Sequence, residues 1–192
     1  PRSTLFPYTT LFRSLGQISL AVTTLFWGAG ATLQFIVLKW SETVLGMSLS
    51  QGAVLQAVVA IGIAIGSVWA AARISLKRSF SVLSVGVAMG VLVAGLAFMD
   101  FSRLPAGGIT LGSLTLGWSA IAAALVMGVI GAMAGFFVVP MNALLQHRGH
   151  VLLSADHSIA VQNFNENLSI LVMLAVYALL LWLDLRIETI IV

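Results

Sequence analysis

The chain has 192 residues, of which 60% are hydrophobic and 8% charged, with a net charge of +3 and no cysteine. A water-soluble domain carries about 25% charged residues to wet its surface, so six acidic and nine basic side chains exclude a globule in water and leave lipid as the solvent. The absence of cysteine excludes a disulfide framework, a thiol nucleophile and a thiolate metal site, and the scattered basic residues form no face suited to nucleic acid.

Residues 1–14 read PRSTLFPYTTLFRS. The run from Thr4 to Ser14 resembles the in-frame translation of a sequencing-adapter oligonucleotide, and it lacks the apolar core and small-residue cleavage site of a signal peptide. It is set aside as a non-native segment, with the native sequence expected to continue upstream.

The remainder, 15–192, reads as a transmembrane half-domain. Charge is absent from Leu15 to Leu38, and ~20 helical residues already span ~30 Å, so the first helix is predicted over 16–39. The second falls over 51–72 and the third over 80–99. A loop follows from Asp100 to Ser113, broken by Pro105, Gly107 and Gly108. A long fourth helix is predicted over 115–146, bent at Pro140, and a fifth over 158–183. The chain ends on Ile190-Ile191-Val192, read as the start of a sixth helix. The fold class is all-α and polytopic, because backbone in lipid must satisfy its own hydrogen bonds and the alternating strands of a membrane barrel are missing. Gly62 with Gly66, and Gly131 with Gly135, carry the spacing of close helix contacts.

Orientation rests on loop charge. Arg73, Lys77 and Arg78 cluster in one short connection, with Arg148 in the next connection on that side, against Lys39, Arg103 and Arg186 opposite. Four against three, and the dense trio above all, put the first set in the cytoplasm.

Function in a membrane chain is read from polar groups kept inside the spans, where a charge costs ~2.5–3.5 kcal/mol at the helix centre on insertion scales. Gln162, Asn163, Glu166 and Asn167 head the fifth helix, with Gln162 and Glu166 on one face and Asn163 and Asn167 on another. They read either as a polar wall on a translocation path or as a structural ion pair of Glu166 with Arg73, Arg78 or Arg148. Gly28 and Gly30 weaken the first helix beside Gln34, which suits either a break near a substrate path or a packing notch with Gln34 bonded to a neighbouring helix. Pro140, Asn142 and Gln146 read as a hinge or a structural bend, in which the carbonyl freed by proline is taken by Asn142 or water. His147, His150 and His157 share one predicted loop without the pairing of a helical metal site. No metal, cofactor or nucleophile–base pair is called for, so the chain is not read as an enzyme; a membrane-bound acyl-transfer enzyme built on those histidines is the weakest alternative.

Three strings carry a family resemblance. Leu25 to Leu33 (LFWGAGATL) resembles the seventh transmembrane helix of bacterial lysophospholipid transporters. Gly135 to Gln146 (GFFVVPMNALLQ) resembles their tenth helix, and Ile159 to Asn163 with Glu166 and Asn167 resembles the start of their eleventh. The resemblance implies a twelve-helix major facilitator fold, of which this chain covers helices seven to eleven, and movement of lysophospholipids across the bacterial inner membrane for reacylation by an acyltransferase. It implies that loops 73–79 and 147–157 face the cytoplasm. It also implies that an N-terminal half is the partner of this chain, which alone is not expected to transport. The position after Thr32-Leu33 is often arginine in that family; here it is Gln34, which donates hydrogen bonds without charge. A major facilitator exporter of drugs or other amphiphiles is the alternative.

Overall fold

The computed structural model describes residues 6–96, 98–99, 105, 107–111, 114–152, 155–185 and 187–191, with side chains described from 16 onward except at 111, 114–116, 148–158 and 188–189. Within them lie α1 (Phe6–Thr43), α2 (Leu49–Arg73), a 3-10 segment (Leu76–Val82) continued by α3 (Leu83–Leu96), a hairpin of β1 (Gly108–Leu111) and β2 (Leu114–Gly117), α4 (Trp118–Leu152), α5 (Ala155–Trp182) and a short α6 (Ile187–Ile191). Five stretches are long and apolar enough to cross a bilayer: Gly16–Thr43, Leu49–Arg73, Leu76–Leu96, Trp118–His147 and Ile159–Trp182. Large apolar side chains cover their outer faces, up to Trp182 at 81% exposure. In water that surface would be untenable; as a lipid boundary it is required. The protein is a multi-pass membrane protein.

The five predicted spans are all present, and the differences lie at their edges. α1 begins at Phe6 rather than near 16; Pro7 is tolerated in a first turn, whose N–H groups lack helical partners anyway. α2 starts two residues early because Ser48 caps it: Ser48 Oγ accepts from the Gln51 amide at 3.3 Å while Gln51 Oε1 accepts from the Ser48 amide at 2.9 Å. This capping box satisfies two donors that lipid would leave bare. Gly46, at φ +62°, makes the left-handed turn between α1 and that cap. The third span opens as a 3-10 segment.

Two expectations need correction. The segment before α4 was expected to be a loop running to Ser113 and then helix; instead Ile109 pairs with Leu116 and Thr110 with Thr115 in an antiparallel hairpin, closed by the Trp118 amide donating to the Gly107 carbonyl at 3.1 Å. Thr, Ile and Leu alternate there between glycines, a strand pattern too short to register beside the long helices. The connection expected at 147–157 is also shorter, because α4 continues to Leu152 and α5 begins at Ala155. His147 and His150 therefore lie on α4 and His157 on α5.

α4 is the centre. It packs along α2 and also meets α1, α3, α5 and the 3-10 segment. Its contact with α2 is backbone to backbone. A methyl group built on Gly62 would strike the Gly128 carbonyl oxygen, one on Gly66 the Ala132 carbonyl oxygen, one on Gly131 the Val59 carbonyl oxygen, and one on Gly135 the Ile63 carbonyl oxygen. The sequence of partners, Val59 with Gly131 and then Ile63 with Gly135, shows that the two helices run in the same direction. Apolar clusters fill the flanks. Ile36, Trp40, Leu96, Met127, Tyr177 and Ile187 form one of them; Val82, Phe137 and Met141 form another, closed by Phe26 at 5.5 Å from the Phe137 ring centre.

Gly30, by contrast, has nothing within 4 Å of an added methyl group. Gly66→Ala should therefore lower the melting temperature in detergent, at a cost of about 1–3 kcal/mol for overpacking, while Gly30→Ala should hold or raise it by relieving a helix penalty of about 1 kcal/mol. Tryptophan fluorescence during thermal unfolding measures both; equal shifts in the two variants would refute the backbone contact. Two turns past Gly135 on α4, the Asn142 side-chain oxygen is buried without a hydrogen-bond partner among the described residues. Asn142→Leu should stabilise the protein by about 1–3 kcal/mol, the cost of an orphaned polar group. The same melt checks it, and a loss of stability would mean that Asn142 is satisfied in the bilayer.

Candidate functional site

The polar residues of α5 sit deep. Glu166 lies 11 residues after Ala155, the first residue of this helix, which is ~16 Å at ~1.5 Å per residue and close to the helix midpoint. The packed face of α5 carries Gln162, Asn165, Glu166, Ser169 and Met173, all partly buried, while Asn163 and Asn167 are exposed on the flank beside them. This is the division of faces that the i, i+4 spacing called for. α1 supplies the opposing wall. A methyl group on Gly28 would collide with Ser169 Oγ and the Met173 sulfur, so the missing side chain lets α5 close on α1. Helix α1 is continuous through Gly28 and Gly30, and of the two readings the structure shows the packing notch at Gly28, filled by the side chains of Ser169 and Met173.

Inside the polar turn the hydrogen bonds are local. Gln162 Nε2 donates to Glu166 Oε1 at 2.8 Å, Asn165 Nδ2 to the Val161 carbonyl at 2.7 Å, and Asn167 Nδ2 to the Asn163 carbonyl at 2.7 Å. Among the described residues no cation pairs with Glu166; the ion pair found there joins Lys39 to Glu42 at 3.1 Å, with both side chains exposed and worth little. Arg73, Lys77 and Arg78 are exposed at the α2–α3 turn, whereas the side chains of Arg148, His150 and His157, and all of Arg103 and Arg186, lie outside the described residues. Thr24, one turn before Gly28 on the same α1 stripe, keeps a buried hydroxyl without a partner among the described residues.

Gln34 does not join this group. α1 and α5 run in the same direction, since Gly28 meets Ser169 and Met173 and, two turns on, Ile36 and Trp40 share a cluster with Tyr177. Gln34 therefore stands near the level of Tyr177 and Glu166 near that of Thr23, ~16 Å apart along the bundle. The Gln34 side chain is exposed, and its main-chain carbonyl accepts from Gln56 Nε2 of α2 at 2.8 Å. Sequence reasoning missed Gln56, although it is the one polar side chain between Gln51 and Ser67; a polar residue isolated in a run of Ala, Val, Ile and Gly is the signal that finds it. The two sets form separate polar stations at different depths.

α4 passes through Pro140 without ending. Proline removes the hydrogen bond to the Phe136 carbonyl, and among the described residues Asn142 makes none in its place. Between α1, α3, α4 and α6 there is an apolar cavity of about 20 Å3, lined by Leu33, Ile36, Trp40, Leu96, Met127 and Ile191. It has room for little more than a water-sized sphere, far below the ~300 Å3 of a ligand pocket.

No protein-family model matches the chain, and no solved structure matches it. Curated proteins do. The chain is 38% identical to the lysophospholipid transporter LplT of Klebsiella pneumoniae (strain 342) over 164 residues, which is 85% of this chain and 37% of that protein. It is 38% identical to that of Shigella boydii serotype 4 over 180 residues, 93% of this chain and 41% of the relative. With that of Yersinia pestis (strain Pestoides F) it shares 38% identity over 185 residues, with the same coverage. The chain thus spans about two-fifths of the length of the relatives it matches, and along nearly all of its own length it is homologous to a segment of the bacterial lysophospholipid transporters.

Proposed function

We propose that this chain forms the C-terminal part, helices seven to eleven, of a major facilitator carrier that moves lysophospholipids across the bacterial inner membrane, where an acyltransferase restores the missing acyl chain. The observation that carries the reading is the homology along nearly the whole chain to proteins named for that transport, joined to polar side chains held in the spans that no packing role requires. Residues 1–14 are read as non-native. The exposed Arg73, Lys77 and Arg78 put the α2–α3 turn in the cytoplasm by the positive-inside rule.

The physical task is to carry a polar headgroup through ~30 Å of hydrocarbon while its tail stays in lipid. Gln162, Asn163, Glu166 and Asn167 supply one polar station and Gln34 with Gln56 a second, at different depths, so a headgroup is handed on without full exposure to hydrocarbon. The lipid-facing apolar walls accommodate the tail. Gly28 and the α2–α4 glycines hold the helices as one body, suited to rocking against a partner half, and Pro140 and Asn142 mark the place where α4 gives.

A chimera in which residues 15–192 replace the matching segment of the Yersinia pestis relative tests the assignment. Uptake of labelled lysophosphatidylethanolamine into proteoliposomes is expected from the chimera, with a drop of about tenfold or more in Glu166→Gln, the loss of a charge-assisted hydrogen bond of ~1.5–3 kcal/mol. A smaller drop is expected in Gln34→Ala. Unchanged rates in both variants would defeat the assignment of these residues, and a folded chimera that carries no lysophospholipid would defeat the reading itself.

A further inference from the structure

The hairpin between α3 and α4 divides into two chemical faces. Residues opposite each other in an antiparallel ladder share a face, and successive residues alternate. The register therefore sets Ile109, Leu111, Leu114 and Leu116 on one face, and Gly108, Thr110, Thr115 and Gly117 on the other. Among the described elements the hairpin packs chiefly on α4, the helix it leads into, and Ile109 is 46% exposed. No Asp, Glu, Lys or Arg occurs between Arg103 and Arg148, so the hairpin shares one charge-free run with the α4 span. In water, an uncharged two-stranded ribbon with an aliphatic face and two open edges is an association hazard, which edge charges ordinarily suppress.

Aromatic residues mark the level of this hairpin in the bundle. Trp118, 44% exposed, opens α4 at the foot of the hairpin, and the exposed Trp182 closes α5. Consecutive spans run in opposite directions, so both indoles stand at one end of the bundle, with the exposed Phe98 just past α3. Tryptophan at span ends marks the headgroup layer. The foot is fixed there: Gly107, at φ +126°, turns the chain in a conformation that glycine alone adopts readily, and its carbonyl accepts from the Trp118 amide at 3.1 Å. The ribbon thus leaves a span whose exposed Leu125 and Val129 face lipid, at the level where that lipid ends. We propose that the hairpin lies flat in the headgroup layer of the leaflet opposite the α2–α3 turn, with its aliphatic face on the acyl chains and its threonine face toward water. Its partner is the phospholipid surface. Depth is limited from both sides. Burial of the aliphatic face draws the ribbon down, as for an amphipathic helix. The unpaired N–H and C=O groups of its two edges keep it out of the hydrocarbon, where nothing would satisfy them. Seated so, the hairpin anchors the start of α4, the helix on which the others are placed.

The chain has no cysteine, so single spin labels can be attached at Ile109→Cys, Thr110→Cys, Thr115→Cys and Leu116→Cys in the full 192-residue chain. Electron paramagnetic resonance in liposomes of phosphatidylethanolamine and phosphatidylglycerol compares collisions with oxygen, which concentrates in hydrocarbon, and with a water-soluble nickel chelate. Labels at 109 and 116 should show an oxygen-to-nickel ratio severalfold above those at 110 and 115, in variants that melt as the wild type does. A second substitution checks the cause. With the label at 116, Ile109→Asp should bring the ratio down to that of the threonine positions, and Thr110→Asp should leave it high. Full access of all four labels to nickel would overturn the proposal, because the ribbon would then stand in water. Labels at 109 and 116 closed to both reagents would overturn it in favour of a protein partner. Spin–spin broadening at 109 that vanishes on dilution with unlabelled chain would overturn it in favour of a second copy. Equal effects of the two aspartate substitutions would also overturn it, since the two faces would then be equivalent. None of these readings depends on what the chain carries.

Discussion

Everything in this molecule hangs on the approach of α2 to α4 without side chains between them. In lipid the hydrophobic effect does not drive helices together, because tails are as apolar as leucine; association depends on packing and on weak polar contacts. Gly62, Gly66, Gly131 and Gly135 let main chain meet main chain over several turns, where many small dispersion contacts add up. Because α4 also touches α1, α3 and α5, its placement on α2 sets the position of the other helices. The polar turn of α5 is held to α1 by the same device, with Gly28 admitting Ser169 and Met173. Small residues place the polar turn, and large ones face the lipid.

Much of this architecture can be read along the chain, since the signals of a membrane protein are long and redundant. Five charge-poor runs name five helices, and four glycines at i, i+4 spacing name the contact that joins two of them. The pairing of Gln162 with Glu166 follows from one turn of helix. What escapes is whatever depends on a neighbour. Gly28 reads equally well as a weakness in α1 and as a notch for α5, and only the presence of Ser169 against it decides. Gln56 carries no motif of its own and gains meaning from the Gln34 carbonyl 22 residues away. The hairpin from Gly108 to Gly117 is four residues on each strand, below the length at which alternation stands out. α4 runs on to Leu152 past His147, Arg148 and His150, whose polarity reads as a loop in the sequence, because polar residues at a membrane surface are compatible with helix.

Polar groups in these spans divide into two kinds. Thr23, Thr32 and Ser41 are buried and donate to carbonyls in the preceding turn of their own helix, at 2.8–3.1 Å, which lets a hydroxyl sit in an apolar helix at little cost. They need no function. Asn142 and Thr24 each keep a buried oxygen without a partner among the described residues, a standing cost that substitution by an apolar side chain removes. Glu166 differs from both: it is ionisable, near mid-helix and, among the described residues, satisfied at one oxygen only.

That half-satisfaction is the physical argument for a site. An isolated carboxylate at such depth costs several kcal/mol on insertion scales, and a permanent arginine partner would lower the cost while closing the oxygen to anything else. An amide partner on the same helix does something different. Gln162 fixes the direction of the carboxylate through a single hydrogen bond at 2.8 Å and brings no charge of its own. Among the described residues, the polar turn thus carries a carboxylate held by a neutral neighbour on its own helix, with no cation paired to it.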